Sequence, residues 1–432
     1  MFFCLFKCRT EPILTIESKR RYAALLSLII AGEAVFFLPF ILPRVFRPTL
    51  LAFFEINNTQ LGVVFSAYGI IAMASYILGG PLADRFPARR LMAFALWLTS
   101  LGGVIITFVH SPAAMVVTYA FWGFTTIFLF WAAMIRATRE WGGKAFQGSA
   151  FGWLEGGRGA VAALLGTLSW IIFAQLSPGV SPEEMNMKVL HPYQVVILVT
   201  SGLTMAAGIL VWHYVPEHRE RLLGDSHKVV LKKILLLLRL PTVWLLAIII
   251  VCAYSSYKVT DNFSLYAREV LGFSEVNAAA TGTMMLWLRS IVAISAGMLA
   301  DRLHKVHMIM FLFTFAFLGA FLLSVGWIDG NVLLILINLT ALATGIYGIR
   351  ALYFAVLREA RIPLLLTGAA VGLVSFVGYT PDVFMGPLMG ALLDGNPGAP
   401  GHHHVFMVLA GFSLAGLFAT VLFNRFSQKP GP

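Results

Sequence analysis

The chain alternates between long apolar runs and short polar breaks. A membrane-spanning helix needs about 20 mostly apolar residues, and that ruler laid along the sequence predicts twelve segments. In the first half they are Tyr22–Pro43, Gln60–Gly79, Arg90–Val109, Ala113–Ile135, Phe146–Gln175 and Tyr193–Tyr214. In the second they are Pro241–Asn262, Val276–Ala296, Val306–Trp327, Val332–Leu352, Leu364–Leu392 and Val405–Phe423. The longest polar connection, Val215–Leu240, separates the two sets of six, so the expected organisation is a half over residues 1–214, a linker over 215–240 and a half over 241–432. Within the linker, Val229–Leu240 reads as a basic amphipathic stretch suited to a membrane surface.

Composition agrees with lipid as the solvent. Of 432 residues 59% are hydrophobic and 12% charged, and mean hydropathy is +0.83. A soluble chain carries about 25% charged residues and could not hide so much apolar surface. The formal charge of +11 does not point to nucleic acid, because the basic residues sit in short loops between apolar runs. Loops on the side of the N-terminus hold 23 Lys and Arg, whereas Arg44, Arg47, Lys188, Lys258 and Arg268 are all that fall on the other side. Positive residues stay cytoplasmic, which predicts a multi-pass protein of the inner membrane with both termini and the linker in the cytoplasm. Cys4, Cys8 and Cys252 offer neither a disulfide framework nor metal-ligand spacing.

One short pattern occurs twice. After the second segment the sequence reads Gly80-Pro81-Leu82-Ala83-Asp84-Arg85-Phe86-Pro87-Ala88-Arg89-Arg90, and after the eighth Gly297-Met298-Leu299-Ala300-Asp301-Arg302. The shared G-x-L-A-D-R follows the second helix of each half, in register with the predicted topology. This doubled loop resembles the signature loop of the major facilitator superfamily. The resemblance implies an all-α membrane protein of twelve transmembrane helices in two pseudo-symmetric six-helix bundles, monomeric, with small-molecule substrate held near the midplane between rocking halves. It also implies that Gly80, Asp84, Arg85, Arg89, Gly297, Asp301 and Arg302 form a conformational latch, made in one access state and broken in the other. The fifth segment, Gly148-Ser149-Ala150-Phe151-Gly152-Trp153-Leu154-Glu155-Gly156-Gly157-Arg158-Gly159, resembles the family's glycine-rich fifth helix without its proline, and is loosely similar to the nitrate/nitrite porter and organic-anion carrier branches.

Candidate chemistry lies in the charges at membrane depth, each of which costs at least ~2.5 kcal/mol without a partner, a wet cavity or a function. Glu155 and Arg158, like Lys258 and Asp261, are spaced to pair on one helical face. That leaves Glu33, Arg289 and Asp382 as the expected unpaired groups. Arg289 is the candidate clamp for an anionic substrate, with Arg158 as a second cation, because a guanidinium grips carboxylate, phosphate or nitrate through two N–H groups. A structural Glu33–Arg289 ion pair is the competing reading. Tyr68, Tyr254, Tyr257 and Lys258 are the remaining candidate pocket residues. Glu33 and Asp382 are candidates for carrying protons, since a carboxyl in low dielectric exchanges them near neutrality. Arg350 falls close enough to the cytoplasmic edge to snorkel. Arg44, Arg47 and Lys258 are expected to draw anions toward the outer mouth.

The expected function is a secondary active transporter of a small organic anion, with inorganic nitrate as the rival cargo and proton coupling left open. An enzyme is disfavoured because H-E-x-x-H, G-x-S-x-G and phosphate-loop motifs are missing, and no cofactor or metal is expected. A non-transporting nutrient receptor is disfavoured because linker and tails are short.

Overall fold

The computed structural model describes residues 16–109, 111–142, 147–177, 191–217, 237–238, 240–300, 302–353, 356 and 367–428. All regular structure among them is helical. In lipid this is forced: no water reaches the backbone, so every N–H and C=O must be satisfied within its own helix. The first half comprises α1 (Ile16–Phe36), α2 (Leu42–Val45), α3 (Arg47–Phe53), α4 (Asn58–Arg85), α5 (Ala88–Phe108), α6 (Pro112–Gly123), α7 (Ala132–Gly142), α8 (Gln147–Leu176) and α9 (Pro192–Tyr214). The second comprises α10 (Pro241–Val259), α11 (Phe263–Glu269), α12 (Glu275–Ala300), α13 (Lys305–Ser324), α14 (Val332–Leu352), α15 (Thr367–Gly378), α16 (Pro381–Gly395) and α17 (Ala399–Gln428). A π-helical turn at Phe37–Ile41 joins α1 to α2, and another at Phe124–Trp131 joins α6 to α7.

Eleven of these helices or fused helices are long and apolar enough to span a membrane. The twelfth expected segment, Leu364–Leu392, is a broken one. It divides into α15 and α16 around Tyr379 and Thr380, because Pro381 lacks the N–H that would continue the ladder. A second departure concerns the first signature loop. The helix runs on through Leu82 and Ala83 to Arg85, leaving only Phe86 and Pro87 as the turn before α5.

Each half packs its own apolar core. Leu28, Val35, Met92, Leu96 and Phe130 are buried together in the first half, and Ile250, Phe313, Ile349 and Phe423 in the second. The halves meet along two seams, α4 on α16 and α8 on α12. The α4–α16 seam is so close that a Cβ at Gly62 would lie 2.5 Å from the backbone of Gly386, and one at Gly390 2.5 Å from that of Asn58. Small residues permit such backbone approach in lipid, where packing rather than water drives association.

The far end of the bundle, opposite the one where α1 begins, is sealed by polar contacts across the seam. Asp394 caps the start of α4, accepting from Asn58 N (3.1 Å), Asn58 Nδ2 (3.2 Å), Thr59 N (2.7 Å) and Thr59 Oγ1 (2.6 Å). A carboxylate there meets the positive end of the helix dipole. Arg47 holds Asn58 Oδ1 from the other side (3.1 Å), Thr49 donates to Glu275 (2.8 Å), and Ser66 donates to the carbonyl of Val383. Toward the near end the halves part. A Cβ at Gly159 of α8 would sit 3.0 Å from Ser290, but one at Gly152, Gly156 or Gly297 would meet nothing within 4 Å among the described residues.

The described candidate latch residues lie at this parted end. Arg85 and Arg302 are exposed. Arg89 stays within its own half, its guanidinium 5.2 Å from the Trp212 ring and 3.8 Å from Glu217. The surroundings of the Gly80 and Asp84 side groups, Asp301 as a whole, and most of the 215–240 linker lie outside the described residues.

The Gly62–Gly386 approach makes a prediction. Gly62→Leu forces the seam open at an overpacking cost of about 1–3 kcal/mol. It should lower the thermal midpoint by several degrees and make a cysteine placed at Ser66 reactive to thiol reagents. A shielded Ser66→Cys with an unchanged midpoint would show that the contact is loose.

Candidate substrate cavity

The charges placed at membrane depth by the sequence converge on one cluster between the halves. Glu33 of α1 is buried (2% exposed) and sits between two arginines, 3.4 Å from Arg158 Nε and 3.1 Å from Arg289 Nη2. Arg158 also donates to the carbonyl of Gly32 (2.9 Å) and to Glu155 (2.8 Å). The Glu155 side chain is 64% exposed while holding that bond, so the near-end opening reaches the cluster. The expectation that Glu33 and Arg289 stand unpaired is therefore corrected: they pair across the seam, because the cost of an isolated charge in hydrocarbon leaves pairing as the lower-energy arrangement.

A second layer lies toward the far end. Asp261 accepts from Arg44 (2.5 Å) and lies 3.3 Å from Lys258 Nζ. Lys258 is shared with Asp382 at 3.4 Å, and Tyr254 donates to both Asp382 oxygens (3.0 and 3.1 Å). Asp382 is thus not unpaired either. It occupies the first turn of α16, where the helix dipole favours an anion. The phenol oxygen of Tyr257 joins the two layers, accepting from Arg44 (2.5 Å) and from Arg289 (3.1 Å).

Several placements differ from expectation. Arg44 and Arg47 are each 2% exposed and are tied into the far-end seal, so they are not free charges at an outer mouth. Lys258, also 2% exposed, belongs to the second layer, with its Nζ 4.8 and 5.0 Å from the Phe40 and Phe65 rings. Tyr68 is one layer removed. Its ring packs edge-on to Phe40 at 4.6 Å and its hydroxyl pairs with Thr126 at 2.7 Å. The adjacent histidines turn to different partners: His402 meets Glu269 at 2.8 Å and His403 meets Asp329 at 3.0 Å.

The residue that sequence reasoning missed is Arg350. Its guanidinium does not snorkel to an edge but lies 3.8 Å from the centre of the Tyr257 ring and 5.5 Å from that of Tyr254. Depth counted along α14 says nothing about which way a long side chain bends, and a phenol face attracts a cation. The available signal was the spacing Tyr347, Arg350, Tyr353, which puts two phenols and a cation on one helical face.

The geometry matches a known architecture. The sequence profile of the Major Facilitator Superfamily matches residues 23–381. The chain belongs to this superfamily. Two inner membrane proteins of Escherichia coli (strain K12) are similar to it: YqcE, 26% identical over 95% of this chain and 96% of that protein, and YihN, 26% identical over 95% and 97%. Among solved structures, one of the nucleoside transporter NupG superimposes with a TM-score of 0.74 at 12% identity, over 94% of this chain and 99% of that one. The D-xylose-proton symporter superimposes with a TM-score of 0.73 at 13% identity, over 94% and 97%. At such identities the structural likeness establishes the fold. The chain is a multi-pass inner membrane protein and a transporter of this superfamily.

The second layer is testable by a double-mutant cycle. Lys258→Met leaves buried Asp382 without its cation, while Asp261 keeps Arg44, and breaking a buried pair from one side costs about 3–5 kcal/mol. Lys258→Met with Asp382→Asn should recover most of that loss in the thermal midpoint. Destabilisation of the double variant equal to the sum of the Lys258→Met and Asp382→Asn losses would mean that the 3.4 Å pair contributes nothing.

Proposed function

We propose that this transporter moves a small organic anion across the cytoplasmic membrane by alternating access, with the near end facing the cytoplasm. The observation that carries the anion reading is the charge balance of the central cluster. Five cations, Arg44, Arg158, Lys258, Arg289 and Arg350, face four carboxylates, Glu33, Glu155, Asp261 and Asp382. A cluster with one positive charge in excess among the described residues, surrounded by low-dielectric protein, attracts anions. Arg158 and Arg289 line the substrate path, and the Tyr254 and Tyr257 rings supply apolar faces that suit an organic body better than bare nitrate.

The orientation rests on the Lys and Arg excess of the near-end loops. With that orientation the sealed far end is external and the structure is the inward-open state. On this reading the doubled G-x-L-A-D-R elements form a latch that engages only when the cytoplasmic side closes. Glu33 and Asp382 are the proposed proton carriers. Protonating Glu33 releases Arg289 and loosens Arg158, making these cations available to a substrate anion, so proton and substrate binding are linked.

Two experiments test this reading. Reconstituted protein should accumulate an organic anion such as gluconate in response to an imposed pH gradient, and Glu33→Gln should remove the response to the gradient. Uptake indifferent to the gradient would sink the coupling, and uptake of neutral solutes alone would sink the anion. For orientation, a cysteine replacing Glu55, exposed at the far end, should react with an impermeant maleimide added outside intact cells. Labelling only after the membrane is breached would reverse the topology.

A further inference from the structure

We propose that Arg350 is the residue that takes the anionic group of the cargo, and that the cargo carries a single negative charge. The inference rests on the anion reading above and names the group within that cluster that is free to serve it.

The other four cations already hold acceptors. Arg158 and Arg289 share Glu33, with Glu155 also on Arg158. Arg44 holds Asp261, and Lys258 lies between Asp261 and Asp382. An incoming anion would have to displace a carboxylate from any of them. Arg350 makes no ion pair with a carboxylate among the described residues, and its Nη1 is buried without any hydrogen-bond partner. A buried donor without an acceptor is uncommon in a finished structure and calls for an explanation. The aromatic contact does not provide one. A ring face attracts a cation through its quadrupole, but it supplies no oxygen to the N–H fork, and the missing acceptor is one that a planar oxyanion could provide.

Position favours the same role. Arg350 is partly exposed, on the face of α14 that also bears Tyr353, whose hydroxyl lies 3.4 Å from that of Tyr379. Tyr379 in turn packs edge-on to Tyr254 at 4.8 Å and stacks on Tyr76 of the other half at 6.1 Å. An anion on the Arg350 fork would therefore lie among phenol rings and hydroxyls drawn from both halves. This chemistry fits a hydroxylated monocarboxylate. With its carboxylates ionised, the cluster has a charge excess of one among the described residues, and Arg350 is that excess. A monoanion then brings the cluster to neutrality, whereas a dianion leaves a charge uncompensated in a medium that penalises it.

The test uses the full-length protein in detergent, wild type beside Arg350→Gln and Arg350→Lys, with gluconate, lactate, malate and glucose as probes in thermal-shift and calorimetric titrations. Binding to the folded state raises the midpoint by mass action. The expected result is stabilisation of the wild type by gluconate above malate and glucose. Arg350→Gln should bind gluconate at least tenfold more weakly, and Arg350→Lys should fall between, because the point charge remains while the fork is lost. Gluconate or lactate bound equally by all three proteins would overturn the assignment to Arg350 and leave the anion reading standing. Malate bound more tightly than either monoanion would overturn the single charge. Stabilisation by glucose alone, or by none of the anions, would remove the anion reading and this proposal with it. Should Arg350→Gln fail to fold, Arg350→Lys decides, with wild-type affinity counting against the fork.

Discussion

The structure depends on one shared carboxylate. Glu33 lies between Arg158 of its own half and Arg289 of the other, so Arg289 meets this carboxylate only with both halves present. An unpaired guanidinium at that depth is costly, and the shared carboxylate offsets that cost for Arg289 and part of it for Arg158. The remaining central pairs repeat the rule. Asp261 is divided between Arg44 and Lys258, and Lys258 between Asp261 and Asp382. The cluster is a chain of shared ions in which removing one member leaves its neighbours exposed to the same penalty.

Around this centre the two ends of the bundle use different physics. The far end closes by geometry: glycines let α4 and α16 meet backbone to backbone, and a single carboxylate, Asp394, satisfies the N–H groups that every helix start leaves open. Those donors would otherwise need water or another acceptor, so the closed end is favoured by hydrogen bonds as well as by packing. At the near end Arg89 turns to Trp212 and Glu217 of its own half, and among the described residues a Cβ at Gly152 or Gly156 of α8 or at Gly297 of α12 would meet nothing within 4 Å. Contacts concentrated at one end of a two-body assembly leave the other end free to open, and moving them to the opposite end is what a rocking motion about a fixed centre accomplishes.

Much of this was legible in the sequence because lipid imposes coarse rules. A run of apolar residues must be a helix of about the bilayer thickness, and a doubled G-x-L-A-D-R in register with those runs implies a doubled bundle. Glu33, Arg158, Arg289, Lys258 and Asp382 could be nominated from depth alone. Their partners could be named only in part. Local spacing finds Glu155–Arg158 and Lys258–Asp261, which lie on one helix turn, and Glu33–Arg289 stood as the competing reading, but Lys258–Asp382 joins residues on different helices that only tertiary packing brings together. Pro381 signals an interruption in the sequence even though apolar composition continues across it, whereas the helical extension to Arg85 was hidden because glycine and proline read as loop. Arg350 was misplaced for a related reason: rise per residue gives the depth of a Cα and not the direction of a side chain.

The sharing of Glu33 is unequal, with a consequence for mechanism. Arg158 has Glu155 as a second carboxylate, whereas Arg289 has Glu33 alone among the described residues. Loss of that one charge, by protonation or by displacement, therefore frees Arg289 and leaves Arg158 with Glu155. It also severs the direct ionic tie between the halves at the midplane. The Tyr257 hydroxyl, bonded to Arg289 on one side and to Arg44 of the far-end seal on the other, carries that change toward the Arg44–Asp261 pair. On the proposed reading, occupancy at the centre and closure at the far end are thus joined through one carboxylate and one phenol. Coupling of this kind requires a contiguous set of groups with two alternative arrangements, and those groups are in direct contact here.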